Sequence, residues 1–170
     1  MQSTVQRLCA IAALSLALAA CGFRLQGAPH LPEQFARTYL SVPIDQPLLK
    51  RELAEAIEIS GRTAVDSATG ATAEVIVREA SSEQRVLSVS AQGRPREYEV
   101  VYRVRFEVLA GGKRLLAPQT LELRRDYPFD EADVLARQRE AGVLLAAMQK
   151  DMARLIQRRL AAVAAPTAKE

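Results

Sequence analysis

Glu97-Tyr98-Glu99-Val100-Val101-Tyr102-Arg103-Val104-Arg105-Phe106-Glu107-Val108 is the stretch that decides the fold. Tyr98, Val100, Tyr102, Val104, Phe106 and Val108 fall on every second position. Glu97, Glu99, Val101, Arg103, Arg105 and Glu107 fill the alternate ones. Side chains of a strand alternate between two faces, so this pattern predicts a long strand with one buried face and one wet face. Mixed charge on the wet face discourages edge-to-edge aggregation.

The neighbouring segments supply partners for it. Upstream, Glu74–Ala80 carries Val75, Ile76 and Val77, and Arg85–Ser90 resumes with Val86, Leu87 and Val89. Gln92-Gly93 makes the turn into the long strand. Downstream, Gly111-Gly112 is a hairpin turn, and a last strand spans Leu116–Arg125. Another strand is predicted near the start, at Tyr39–Ile44, with Leu40, Val42 and Ile44 on one face.

Two helices complete the pattern. Pro47 suits the first turn of a helix because its missing N–H costs nothing there, and Asp45 or Gln46 can cap it. Leu49, Leu53, Ala56 and Ile57 recur at helical spacing, and Gly61 supplies the stop. Residues 62–72 read as a small, polar connection. The second helix is predicted from Asp130 to Val163, with Asp130 and Asp133 at its positive end and Arg154, Arg158 and Arg159 towards its negative end. Its apolar stripe is Ala141, Leu144, Leu145, Met148, Met152, Leu155, Ile156 and Leu160, in which Met148 and Met152 are core filler. The order is β-α-β-β-β-α, and the expected fold class is α+β. It is a two-layer sandwich with two helices packed on a four-stranded, mostly antiparallel sheet.

The N-terminus carries a different kind of signal. An apolar run from Leu8 ends in Leu18-Ala19-Ala20-Cys21, where a secretory signal peptide would have its small-residue cleavage site. A run of about a dozen residues is short of the roughly 20 that a spanning helix needs. Cys21 stands where the mature chain would begin, and its thiol is the expected lipid attachment site, carrying S-diacylglycerol with an N-acyl (palmitate) chain on the new terminus. Residues 1–20 are therefore read as a lipoprotein signal peptide and 21–37 as a lipidated tether. Residues 38–164 form a single α+β domain, and 165–170 a disordered tail.

Composition narrows the function classes. Removing residues 1–20 from the 170 leaves 150, one ordinary domain. Cys9 leaves with the signal and Cys21 becomes the anchor, so the mature chain has no disulfide and no thiolate metal site. The chain holds 23 Lys+Arg against 20 Asp+Glu, a balance too even for a generic nucleic-acid binder. No catalytic set is assembled. A Ser-His-Asp triad would need His30, the sole histidine, which lies in a Pro-rich lead-in beside the anchor. Glu97 and Glu99 share a strand face, as a paired-carboxylate cell-wall hydrolase would require, but Arg103 and Arg105 follow them as on a solvated face. No His/Asp/Glu cluster has metal spacing, no Gly-rich phosphate loop occurs, and no cofactor is expected. Arg94 and Arg96 after the turn, Arg124 and Arg125 at the end of the last strand, and Arg137 and Arg139 in the long helix are candidates for a patch that meets a phosphorylated, anionic partner.

Three stretches together resemble the LptE family of lipopolysaccharide-assembly lipoproteins. They are Cys21-Gly22-Phe23-Arg24-Leu25-Gln26-Gly27; Ser88-Val89-Ser90-Ala91-Gln92-Gly93 with Glu97-Tyr98; and Arg124-Arg125-Asp126-Tyr127-Pro128-Phe129-Asp130 followed by Leu135-Ala136-Arg137-Gln138-Arg139-Glu140. The resemblance implies a non-enzymatic lipoprotein anchored at the periplasmic face of the Gram-negative outer membrane. Such a protein plugs the LptD β-barrel as a 1:1 heterodimer, assists its assembly and binds lipopolysaccharide during delivery to the cell surface. It also implies two helices on a four-stranded sheet. The family's basic position in its Leu-Ala-(Lys/Arg)-x-x-Glu motif falls on Arg137, which makes Arg137 an expected lipopolysaccharide contact. A second basic position in the turn falls on Ala91, a departure that leaves Arg94 or Arg96 to supply the charge from a shifted place. The alternative reading is an auxiliary lipoprotein of a phospholipid-transport complex.

Overall fold

The computed structural model describes residues 29–128 and 134–163, the side chains of 134–139 excepted. The signal peptide, Cys21, Asp130, Asp133 and the tail lie outside the described residues. The chain enters through a 3-10 turn, Glu33–Phe35, and forms β1 (Arg37–Ser41), α1 (Pro47–Ile59), β2 (Thr63–Val65), β3 (Ala73–Val89), β4 (Pro95–Ala110), β5 (Lys113–Pro128) and α2 (Val134–Val163).

The sheet has five strands in the order β2-β1-β3-β4-β5 and is mixed, where the sequence predicted four strands and mostly antiparallel pairing. β3/β4 and β4/β5 are antiparallel, whereas β1 pairs in parallel with both β2 and β3. The unforeseen strand is β2, with Thr63 opposite Arg37 and Val65 opposite Tyr39. Its three residues are too few to show a period of two. α1 carries the chain back to the starting end, so the strand that follows must pair parallel. β1 is also shorter than predicted. It stops at Ser41, and Ile44 stands 99% exposed instead of sharing a face with Leu40, because Pro43 breaks the run.

Arg78 is an extra residue between two registered pairs, a bulge that lets β3 run unbroken through the polar segment 78–85. β1 ends opposite Ile76, so β3, β4 and β5 continue past it as a three-stranded ribbon. Gly111 and Gly112 both take positive φ (57° and 73°), the backbone that a two-residue type I′ hairpin turn demands.

α1 and α2 cover one face. Leu49, Leu53, Ala56 and Ile57 of α1 are buried, as their spacing predicted. Met148, Met152, Ile156 and Leu160 of α2 meet Val75, Val104 and Phe106 of the sheet in the same core. Gly61 ends α1 at φ 75°: its N–H bonds the Glu58 carbonyl (2.9 Å) and the Arg62 N–H reaches back to Ile57 (3.3 Å). This is a Schellman closure, which needs a left-handed residue at that position.

Polar bonds fix the helices along one another. Gln46 occupies the N-cap position of α1, but its side chain does not cap. Its Oε1 accepts instead from the Tyr102 hydroxyl and from Gln149 Nε2, each at 3.1 Å. At the other end of α1, Gln157 Nε2 donates to the Ala56 carbonyl (2.7 Å) and the Ser60 hydroxyl (2.5 Å). α1 and α2 therefore run in the same direction. Burial pushes the Tyr102 hydroxyl up to about 12.

The expected tether ends earlier than residue 37. Leu31 and Phe35 are fully buried in the core, and Arg62 Nε donates to the Leu31 carbonyl at 2.7 Å. Two apolar side chains in a Pro-rich entry were enough to dock it.

Candidate functional site

The helix-free face of the sheet is a ladder of arginines and carboxylates. Rows across β3, β4 and β5 read Glu79–Arg105–Thr120, Ser81–Arg103–Glu122, Glu83–Val101–Arg124 and Arg85–Glu99–Asp126. Arg78 Nε donates to Glu107 Oε1 at 2.7 Å and Arg114 Nε lies 3.2 Å from Oε2. Arg85 pairs with Glu99. Arg103 Nε donates to Glu122 Oε2 at 2.5 Å, and Arg124 Nε reaches the other oxygen at 2.7 Å. Hydrogen bonding from Arg78, with the Arg114 charge beside it, holds the Glu107 carboxyl below the usual carboxylate range. Bonds from Arg103 and then Arg124 do the same for Glu122, and those from Glu122 raise the Arg103 guanidinium.

This face is drier than its alternation predicted. Glu99, Val101 and Glu107 were assigned to the wet side, yet they are 6%, 1% and 3% exposed. Arginines of β3 and β5 reach across to the carboxylates of the central strand, Arg78 and Arg114 to Glu107 and Arg85 to Glu99. The paired-carboxylate idea for Glu97 and Glu99 has no support in this geometry. Glu97 accepts from the Ser88 hydroxyl (2.7 Å) and Glu99 is held by Arg85.

The β3–β4 turn is the second feature. The Ser90 N–H bonds the Arg94 carbonyl at 2.7 Å, and Gly93 takes φ 76°. Arg94 and Arg96 are both exposed at this end. Pro128, the last residue of β5, pairs with Glu97, and α2 begins six residues later. Arg137 is thereby on the opening turns of α2, at the same end of the molecule as Arg94 and Arg96; its side chain and that of Arg139 lie outside the described residues. Arg124 and Arg125 do not join them. Arg124 is bound to Glu122 and Arg125 to Asp151 (3.1 Å).

Sequence reasoning missed two things here. Gln149 and Gln157 sit eight residues apart beside the apolar stripe, a signal for paired polar locks that was legible but unread. The adjacent apolar pair Val86-Leu87 breaks period two, and that was the mark of the irregular corner described below. Among the described residues no group of His, Cys, Asp or Glu is placed to hold a metal ion. Also among them, no helix is long and apolar enough to cross a membrane.

A helix-covered sheet whose other face is ion-laced, with a basic turn at one end, defines a two-layer α+β domain. Its family follows from comparison: the LptE lipopolysaccharide-assembly model matches residues 35–160, and the chain belongs to that family. It is 28% identical over 149 residues to the LPS-assembly lipoprotein LptE of Yersinia enterocolitica, covering 87% of this chain and 72% of that one. Among solved structures, lipoprotein B from Nitrosomonas europaea superposes with a TM-score of 0.69 at 33% identity, over 83% of this chain and 91% of that one. The rare lipoprotein B from Shewanella oneidensis gives 0.65 at 30% identity, over 74% and 94%. A minor lipoprotein from Acinetobacter baumannii shares the fold, with a TM-score of 0.66 at 21% identity, over 80% and 98%.

Proposed function

We propose that this protein is a non-enzymatic envelope lipoprotein of lipopolysaccharide assembly. It is anchored through Cys21 at the periplasmic face of the outer membrane, lodges as a 1:1 plug in the LptD β-barrel, helps that barrel assemble and binds lipopolysaccharide in transit. The family match over residues 35–160 is the observation that carries the reading. The ion-laced sheet face supports the plug: lumens of wide barrels are polar and water-filled, and a wall of paired charges enters one without stranding an unpartnered ion. Arg137, with Arg94 and Arg96 at the same end, is the proposed contact for the lipid A phosphates, which guanidinium forks bind with charge-assisted hydrogen bonds. Several acyl chains at Cys21 give the stable anchoring that one chain does not.

Two measurements test this. A mild-detergent pull-down of tagged protein from outer membranes is expected to recover one large, heat-modifiable barrel at one to one; recovery of none would remove the plug. Arg137→Asp is expected to weaken lipopolysaccharide binding more than Arg159→Asp, which reverses an exposed charge near the far end of α2. Equal losses would mean diffuse basicity in place of a site.

A further inference from the structure

Three of the six large apolar residues that stand exposed among the described residues fall within four positions. They are Val86 (47% exposed), Leu87 (48%) and Val89 (58%). Ile44, Ile59 and Val143, the other three, are separate in sequence. Scattered single apolar residues are ordinary on a protein surface, whereas a cluster marks contact with something apolar. Nor is the cluster a general property of β3. The eight residues before it are Arg78-Glu79-Ala80-Ser81-Ser82-Glu83-Gln84-Arg85, nearly all polar, in the same exposed part of the strand beyond the end of β1.

The backbone is irregular at the same place. Register shifts fall between Val86 and Ser88 and again between Ser88 and Val89. Leu87 is left out of the ladder, while Val86 lies opposite Tyr98, whose ring stacks on Tyr127 with centroids 5.9 Å apart. Bulges re-aim side chains and bend a strand, and both irregularities fall within this apolar stretch at the end of the ribbon. Arg96 is skipped by the second shift, is exposed, and among the described residues forms no ion pair or hydrogen bond through its side chain. Its position contrasts with the sheet face, where most arginines have a carboxylate.

We propose that this corner is the acyl-chain contact for lipopolysaccharide: Val86, Leu87 and Val89 cover part of the fatty acyl chains of lipid A while Arg96 meets one of its phosphates. The proposal rests on the lipopolysaccharide-binding reading above and adds to it the part of the ligand that phosphate contacts leave in water. The charge decides the occupant. An aliphatic cluster alone suits any apolar partner, but one beside an unpaired guanidinium suits a molecule with acyl chains and an anionic group within a few bonds of each other.

The test compares two probes on the full-length protein, hexa-acylated lipid A and its fully deacylated bis-phosphorylated disaccharide. The triple variant Val86→Thr/Leu87→Gln/Val89→Thr keeps β-branched shape at two positions and is expected to lose about tenfold or more of its affinity for lipid A. Its affinity for the disaccharide is expected to be unchanged. Arg96→Glu is expected to weaken both probes. Leu87→Gln alone, at the unpaired bulge position, is expected to show a smaller loss of the same kind with no change in melting temperature. Triple-variant binding of lipid A within twofold of wild type would overturn the acyl contact while leaving lipopolysaccharide binding intact. Equal loss of both probes would likewise overturn it. Wild-type protein that binds neither probe would remove the underlying reading as well.

Discussion

Glu107 shows how a single residue converts a solvent-facing position into a buried one. Its alternation places it on the helix-free face, where one carboxylate in water needs no partner. Arg78, delivered by a bulge in β3, and Arg114, at the start of β5, close over it and leave it 3% exposed. The Glu107 carboxyl titrates below its ordinary value, so protons bind it more readily in the unfolded chain than in the folded one. Its contribution to stability is therefore complete above the ordinary carboxylate range and is lost as pH falls through the lowered value. Glu107→Gln should lower the urea midpoint at pH 7, because two arginines lose their counter-charge. The gap between variant and wild type should narrow at pH 3, below the ordinary carboxylate range, where the unfolded wild-type chain takes up the proton and the advantage of the charged form shrinks. A gap of the same size at both pH values would show that packing, not charge, is the source. Gln157 acts at the same scale. Removing its amide with Gln157→Ala takes the donor from the Ser60 hydroxyl oxygen and one of two from the Ala56 carbonyl, which keeps the bond from the Ser60 hydroxyl (2.9 Å). A loss of about 1–3 kcal/mol in chemical denaturation is expected.

Among the elements, α1 and β4 were legible because local chemistry and burial agree in them. Pro47 at the start, four apolar residues at helical spacing and Gly61 at the close leave little else for residues 47–61 to be. Gly61→Ala tests the closure: a Cβ there meets no neighbour within 4 Å, so the cost comes from the left-handed backbone alone, about 1–2 kcal/mol by thermal or urea unfolding. Met152→Ala tests the stripe on α2, and burial without remaining exposure puts the loss at about 2–5 kcal/mol. Elements settled by the rest of the chain were not legible. β2 is a strand only because α1 returns residues 63–65 to the edge of β1. Ile44 looks like the next inward residue of β1, but Pro43 lacks the N–H that would continue the ladder. The basic turn was legible as composition, since Arg94 and Arg96 flank Pro95. That Arg124 and Arg125 are neutralised by Glu122 and Asp151 depends on register and helix placement, which no local pattern encodes.

At the scale of the whole molecule, the entry segment decides where the folded body begins. The composition of residues 22–37 suggested a tether throughout, whereas Leu31 and Phe35 are already part of the core. Leu31 and Phe35 fill the core, the Thr38 hydroxyl donates to the Phe35 carbonyl at 2.9 Å, and Arg62 clasps both the Leu31 carbonyl and Glu33. The magnitudes make this testable. Removing a fully buried Phe costs about 3–5 kcal/mol and a buried Leu about 2–5, which together rival the 5–15 kcal/mol that holds an ordinary domain folded. A chain beginning at residue 29, like Cys21→Ala, should therefore show native circular dichroism and a cooperative melt. One beginning at residue 37 should melt far lower or not fold. Similar melting of both truncations would mean that the entry segment lies on the core without supporting it, and the tether would then extend to residue 37 as its composition suggests. Loss of structure in the longer one would place part of the core before residue 29, and lipidation at Cys21 would then act on the folded body directly.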